Sequence, residues 1–81
     1  MNKPVNMDKL AIGKLYAFQS WRTEVEINNV ATFYPHDSMF MVLAKKPTQG
    51  LYNYYHFVVL LPDGCMGEFY PLASDYFTEL C

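Results

Sequence analysis

Hydrophobic and polar residues alternate along much of this chain, and a period of two predicts β-strands because successive side chains point to opposite faces. The clearest case is Trp21 to Ile27, where Thr23, Val25 and Ile27 share one face. The charged residues Arg22, Glu24 and Glu26 share the other. This segment is therefore predicted to be a half-buried strand. The sequence contains no long segment with helical periodicity, so we expect an all-β protein.

The C-terminal third carries the strongest hairpin signal. A run of aromatic and β-branched residues from Tyr52 to Leu61 meets Pro62-Asp63-Gly64, and extended character resumes from Cys65 to Tyr70. The flanking residues favour extended backbone, while proline and glycine supply the dihedral angles that a tight reversal requires. Two strands joined by a turn at residues 62–64 are predicted.

Other strands and turns fill the middle of the chain. Leu15 to Phe18 and Met39 to Ala44 are rich in residues that favour strands. Asn28-Asn29 suits a tight turn because asparagine tolerates left-handed dihedral angles. The segments 35–38 and 45–50 are predicted to be further connections, since they combine proline with polar or charged residues.

Several short strands separated by turns predict one small barrel, since an open sheet of this size would leave one apolar face in water. At 81 residues the chain has room for a single domain. We predict a five-stranded antiparallel barrel over residues 10–81, preceded by a loose lead-in over residues 1–9. Ser74 to Phe77 is expected to form one short helical turn near the C-terminus.

Short motifs at both ends of the chain resemble Src-homology-3 domains. Leu15-Tyr16-Ala17-Phe18 is similar to the Ala-Leu-Tyr-Asp-Tyr opening of that family. Gly67-Glu68-Phe69, Pro71 and the segment from Ser74 to Phe77 resemble its closing Gly-x-Phe-Pro-Ser-Asn-Tyr-Val motif, including the helical turn. The resemblance implies an Src-homology-3-like small β-barrel.

The elements between these ends keep the order found in that family. Met39 to Leu43 is similar to its second strand, Tyr54-Tyr55 stands where its paired tryptophans stand, and Pro62-Asp63-Gly64 occupies its distal hairpin. Eukaryotic members bind proline-rich peptides on aromatic ridges. The resemblance carries that partner-binding role to five positions of this chain, which are Tyr16, Phe18, Tyr54, Pro71 and Tyr76.

Charge and hydropathy restrict the partners. A net charge of -2 with only 6 lysines and arginines gives no cationic field for phosphates, so we expect no nucleic-acid binding. The longest aliphatic run, Val58 to Leu61, is too short to cross a bilayer, and residues 1–9 lack the apolar core of a secretory signal. A cytoplasmic protein without membrane attachment is expected, in the host cytoplasm or the virion if the chain is viral.

Residues capable of catalysis or metal binding occur in contexts that favour structural roles. His36-Asp37 could act as a general base and its orienting carboxylate, but Pro35 before them favours a turn. Cys65 could act as a nucleophile, although a free cysteine is more often a small buried hydrophobe. The two histidines and two cysteines show none of the close paired spacings of zinc sites. We expect no enzyme, no metal and no cofactor, with Cys65 and Cys81 reduced.

The aromatic residues give the one functional indication. Seven tyrosines together with Trp21 exceed what a core of this size can hide, and such side chains dominate hot spots at protein interfaces. An alternative is that these rings merely cover the barrel with their hydroxyl groups in water. We predict a protein–protein interaction module and add Trp21 to its partner-binding residues.

Compact acidic chains without catalytic motifs also look similar to bacteriophage or bacterial accessory proteins, which implies action on a host factor. Two other functions stay open. A structural subunit of a homo-oligomer or virion would pair edge strands, such as Leu10 to Phe18 or the C-terminal strand, with copies of itself. A cryptic small hydrolase would use His36, Asp37 or Cys65.

Overall fold

The computed structural model describes residues 3–19, 22–47, 55–71 and 75–80, which form a curled antiparallel sheet. The all-β prediction is confirmed. The described residues contain one 3₁₀ helix, Met7–Lys9, and eight strands. These are β1 (Lys3–Asn6), β2 (Leu15–Phe18), β3 (Arg22–Ile27), β4 (Val30–Pro35), β5 (Met39–Pro47), β6 (Tyr55–Leu60), β7 (Met66–Phe69) and β8 (Tyr76–Glu79).

All neighbouring strands are antiparallel, in the order β1-β8-β2-β5-β6-β7-β3-β4. The prediction of five strands is wrong because the hairpin β3–β4 and the strand β1 extend the sheet at its two ends. The predicted hairpin around Pro62-Asp63-Gly64 is confirmed by the pairing of β6 with β7. Residues 52–54, predicted to begin the first strand of that hairpin, lie outside the described residues.

Left-handed backbone angles mark the tight connections. Asn28 and Asn29 have φ angles of 53° and 66° and join β3 to β4 in a two-residue turn. Both central residues of such a turn need positive φ, which asparagine tolerates. Gly64, with φ of 85°, lies in the turn between β6 and β7. The turns expected at these two places are therefore present.

The sheet curls into a half-barrel around its aromatic core. Phe69 of β7 and Phe77 of β8 lie four strand steps apart in the sheet, which would separate them by roughly 19 Å if the sheet were flat. Their ring centroids are instead 5.5 Å apart. Phe18 of β2 meets Phe69 at 5.4 Å and stacks on Phe40 at 4.4 Å. One face of the sheet therefore closes on itself and excludes water.

Alternation along the strands fills this interior. The inward positions include Val25 of β3, Val42 of β5 and Val59 of β6, which are fully buried together with the aromatic residues. The predicted division of β3 holds where its side chains are described, since Thr23 and Val25 are buried and Glu24 is exposed. Other members of the core are Met7, Leu10, Tyr16, Phe18, Tyr34, Phe40, Phe57, Leu61, Phe69 and Phe77.

Residues 3–9, the described part of the predicted lead-in, pack with the sheet and do not form a loose segment. β1 pairs with β8 along its whole length, and the Met7 side chain is buried in the core. The side-chain oxygen of Asn6 accepts a hydrogen bond from the amide of Asp8 at 3.1 Å and so caps the 3₁₀ helix. Hydrogen bonds in the sheet and burial of one apolar side chain together order this segment.

The predicted helical turn at residues 74–77 is also corrected. Tyr76 and Phe77 belong to β8, whereas Ser74 lies outside the described residues. β8 is paired on one side with β1 and on the other with β2. Its backbone N–H and C=O groups therefore find more hydrogen-bond partners in the sheet than they would in one isolated helical turn. Because β2 and β8 are both interior strands, neither is the edge that the oligomer hypothesis proposed. The edges of the described sheet are β1 and β4.

Candidate functional site

The outer face of the curled sheet carries a row of four aliphatic side chains. Strand register places Leu15 opposite Met41, Met41 opposite Leu60, and Leu60 opposite Met66. Their chain neighbours on these strands point into the core, so these four side chains point outward. Directly opposite residues of antiparallel strands have Cβ atoms about 4.5–5.5 Å apart. The four residues therefore form a continuous apolar row across β2, β5, β6 and β7, called here the aliphatic ladder.

The two ends of the aliphatic ladder are open to solvent. Leu15 is 42% exposed and Met66 is 63% exposed, whereas Met41 and Leu60 between them are half-buried. The core is complete on the other face of the sheet, so the ladder is a second apolar surface and not part of the interior. Methionine is flexible and polarizable, which suits such a surface to partners of irregular shape.

A pair of glutamates lies beside the Met66 end of the ladder. Glu26 of β3 stands directly opposite Glu68 of β7, the one register pair through which these strands meet. A cavity of about 260 Å³ opens next to this pair. Its lining includes both carboxylate residues, Met66 of the ladder, Val58 and the Asn28-Asn29 turn. The cavity and the aliphatic ladder therefore share Met66.

The cavity is negatively charged. Glu68 accepts a hydrogen bond of 2.9 Å from the hydroxyl of Tyr70. This bond, burial, and the charges of Glu68 and Glu26 together raise the pKa of Tyr70 above its ordinary value. Among the side chains that the structure describes, no lysine or arginine forms an ion pair with either glutamate. The two carboxylates therefore face the solvent without a cationic partner from the described part of the chain.

Two stacked rings lie beyond the glutamate pair on the outer face. The His56 ring stacks on Tyr70 with centroids 4.9 Å apart and planes inclined by 20°. The Nδ1 atom of His56 is buried and has no hydrogen-bond partner among the described residues. His56 lies on the opposite face of β6 from Phe57 and Val59, whose side chains are buried.

The outer face is a candidate functional site because of its geometry and charge, and comparisons with known proteins add nothing to this. No family model, curated protein or solved structure matches the chain. What the protein does must therefore be argued from the aliphatic ladder, the cavity and their charges.

Two of the predicted partner-binding residues lie in the core. Tyr16 and Phe18 are fully buried, so their rings offer no surface to a partner. The Tyr16 hydroxyl accepts a hydrogen bond from the amide of Ala11 at 2.8 Å and donates one to the carbonyl of Lys9 at 3.3 Å. We correct their assignment: both rings hold the sheet and its N-terminal segment together.

The remaining predicted positions do not converge on one site. Pro71 is also fully buried, which removes it from a docking surface in the same way. Tyr76 is 55% exposed and lies on the outer side of β8. Trp21 and Tyr54 lie outside the described residues, so their predicted role stays a prediction. Of the residues predicted to bind a partner, only Tyr76 is placed by the described structure on the surface.

The catalytic candidates lie at exposed turns. Nδ1 of His36 is 2.9 Å from a carboxylate oxygen of Asp37, so these adjacent side chains do meet, and both are solvent-exposed. Cys65 has an exposed free thiol, and its amide donates to a carboxylate oxygen of Asp63 at 3.2 Å. Cys81 lies outside the described residues.

The described residues contain neither a cluster of metal-binding side chains nor a membrane-spanning helix. No group of three or more histidine, cysteine, aspartate or glutamate residues there is placed to hold a metal ion. None of the helices in the described ranges is long and apolar enough to span a membrane.

Sequence reasoning missed the aliphatic ladder, although a signal was present. The uninterrupted apolar runs 39–44 and 57–61 place apolar residues on both faces of β5 and β6. Continuous runs of this kind are typical of strands that are covered on both sides. The glutamate pair had no comparable signal, since Glu26 and Glu68 are far apart in the chain and only register brings them together.

Proposed function

We propose that this protein is a non-enzymatic interaction module that docks on another protein through the outer face of its sheet. The observation that carries the proposal is the aliphatic ladder, whose two ends are exposed although the core on the other face is complete. Contiguous apolar groups left in water on a small domain are typical of interaction sites. The partner class implied by the resemblance to accessory proteins is a host factor.

Covering the ladder would add measurably to the affinity of a complex. Burying a leucine or methionine side chain completely stabilises by about 1.5–3 kcal/mol. Since Leu15 and Met66 expose roughly half of their surface, covering both would contribute about 1.5–3 kcal/mol. That corresponds to roughly a 10- to 150-fold change in Kd.

We further propose that the sheet is an elaborated Src-homology-3-like barrel. Support comes from the order β2, β5, β6, β7 and β8, which follows the five strands of the sequence resemblance. In this reading the hairpin β3–β4 occupies the first long loop, and β1 is added beyond β8. The docking face differs from that of peptide-binding members, because Tyr16, Phe18 and Pro71 are buried here.

Affinity capture with a ladder variant tests the proposed function. The tagged chain is incubated with lysate of its source cell or host, beside Leu15→Thr/Met66→Thr, in which threonine keeps the preference for strands. Val30→Thr is the matched control, because Val30 is 63% exposed, as Met66 is, but lies on β4 away from the ladder. We expect the wild type and the control to retain the same partner in stoichiometric amount, and the ladder variant to lose it with its melting temperature unchanged. Retention of the partner by a folded ladder variant would contradict the proposal.

A second candidate is a homo-oligomer built through β4. β4 is an edge of the described sheet, and Val30 on it is exposed. An edge strand of this kind can pair with a second chain. Sedimentation across a range of concentrations separates the two candidates. Only the homo-oligomer should increase in mass with concentration, and substitution of Val30 should reduce that increase.

A further inference from the structure

We infer that the partner covering the outer face is a protein segment that is both aliphatic and basic. Its lysine or arginine enters the cavity between Glu26 and Glu68, while its apolar neighbours cover the aliphatic ladder. This inference rests on the proposed function, and it names the chemistry of the partner.

The charge of the cavity selects a cation. Glu26 and Glu68 stand directly opposite each other on adjacent strands, and like charges in that position repel. No described lysine or arginine side chain neutralises them. A single cation held between the carboxylates would add two attractions, which together outweigh the repulsion between them. The cavity would also shield this cation partly from water, and charge-assisted hydrogen bonds are strong in such a site.

The shape of the cavity suits a long basic side chain. Its volume of about 260 Å³ equals that of roughly eight or nine water molecules. Val58 and Met66 line it beside the two carboxylates. Lysine and arginine lay their methylene stems along apolar surface while the charged group stays at a polar site, and this lining offers both surfaces.

The cavity is continuous with the aliphatic ladder, and this determines the chemistry of the other residues of the partner segment. Met66 lines the cavity and is also one of the two exposed ends of the aliphatic ladder. A segment whose basic residue occupies the cavity therefore has its neighbouring residues beside Leu60 and Met41. Aliphatic side chains at those positions would bury the apolar row, and a nucleic acid would instead bring its phosphates against the glutamate pair.

Selection from a random peptide library displayed on phage tests this inference with the full chain. The wild-type protein is immobilised, enriched peptides are sequenced, and one is synthesised for titration against variants. Glu26→Gln/Glu68→Gln removes both charges, and glutamine at 68 keeps an acceptor for the Tyr70 hydroxyl. Glu24→Gln is the control, since Glu24 lies on the same face of β3, is exposed and does not line the cavity.

We expect the enriched peptides to share a lysine or arginine flanked by aliphatic residues. Their Kd should rise about tenfold or more in the double variant and change less than about twofold in Glu24→Gln. Enriched peptides without a basic residue, no enriched peptide at all, or affinity unchanged in the double variant would each overturn the inference. A dimer of the wild type that the double variant abolishes would assign the cavity to a second copy and overturn it as well.

The proposed function fails by a different result. If the ladder variant Leu15→Thr/Met66→Thr loses its captured partner while Glu26→Gln/Glu68→Gln keeps it, docking on the outer face stands and the basic chemistry is excluded. If both variants keep the partner, the proposed function falls together with the inference.

Discussion

Gly67 lies on β7 where β3 approaches most closely, and replacing it by alanine should destabilise the fold. A Cβ at this position would lie 2.5 Å from Cγ1 of Val25, 3.0 Å from the carbonyl oxygen of Glu26 and 3.2 Å from Cγ1 of Ile27. Val25 is fully buried, and the oxygen belongs to the backbone of β3. Because protein interiors are closely packed, neither neighbour can yield without displacing the strand.

Two opposing effects set the size of this loss. Overpacking a well-filled core costs about 1–3 kcal/mol. Alanine also restricts the unfolded chain, which returns about 0.4–1 kcal/mol. The free energy of unfolding of Gly67→Ala should therefore fall by about 1–2 kcal/mol. For a domain of this size the melting temperature would drop by roughly 4–15 °C.

Urea unfolding followed by circular dichroism measures this change, and a double-mutant cycle identifies its cause. Val25→Ala removes the methyl group that the new Cβ would strike, so Gly67→Ala should cost less in that background by about 1 kcal/mol. Two results would refute the reasoning. One is a free energy of unfolding for Gly67→Ala equal to or above that of the wild type. The other is strict additivity of the two substitutions, because additive effects would mean that β3 and β7 are not in contact at this point.

Two further predictions concern ionisable groups on the outer strands. Burial, together with the 3.2 Å hydrogen bond from its hydroxyl to Asp63 and the charges of Asp63 and Cys65, raises the pKa of Tyr34 to about 12. The stabilising contribution of the Tyr34 hydroxyl is thus complete below pH 10 and is lost as pH rises towards 12. Thermal unfolding over this range should show the free energy of unfolding of the wild type falling by up to ~2 kcal/mol more than that of Tyr34→Phe. Equal losses would mean that the hydroxyl ionises freely. Glu26→Gln should raise the free energy of unfolding by about 0.5 kcal/mol, because it removes a like charge opposite Glu68, and a decrease in urea titrations would show that the pair is not repulsive.

Local patterns in the sequence predicted the strands that local chemistry determines. Alternation between residues 21 and 27 predicted β3, and the Asn28-Asn29 turn follows from the tolerance of asparagine for positive φ. Proline and glycine around Asp63 likewise predicted the hairpin β6–β7. In each case the signal lies within a few residues of the element that it specifies.

Features that depend on register and curvature could not be predicted in this way. The sequence pattern suggests surface positions for Tyr16 and Phe18, but the curled sheet brings Phe18 against Phe69, which lies three strand steps away. The four residues of the aliphatic ladder belong to four different strands. Only the register of strand pairing aligns them, and a slip of one residue would move each side chain to the opposite face.

Gly67 connects the stability of the fold with the proposed docking surface. Its neighbours Met66 and Glu68 point outward, one as an end of the aliphatic ladder and the other as half of the acidic pair, while the missing side chain of Gly67 lets β3 approach from within. Because Glu26 and Glu68 are the register pair of β3 and β7 and Gly67 precedes Glu68, we expect inward crowding at Gly67 to change the spacing of the two carboxylates as well. Substitutions at Gly67 therefore cannot separate folding from binding, whereas glutamine at 26 and 68 removes charge with little change in volume. The packing of Gly67 against β3 inside the sheet therefore influences the width of the cavity on the outer face. The repulsion between the two glutamates of that cavity opposes the pairing of β3 with β7.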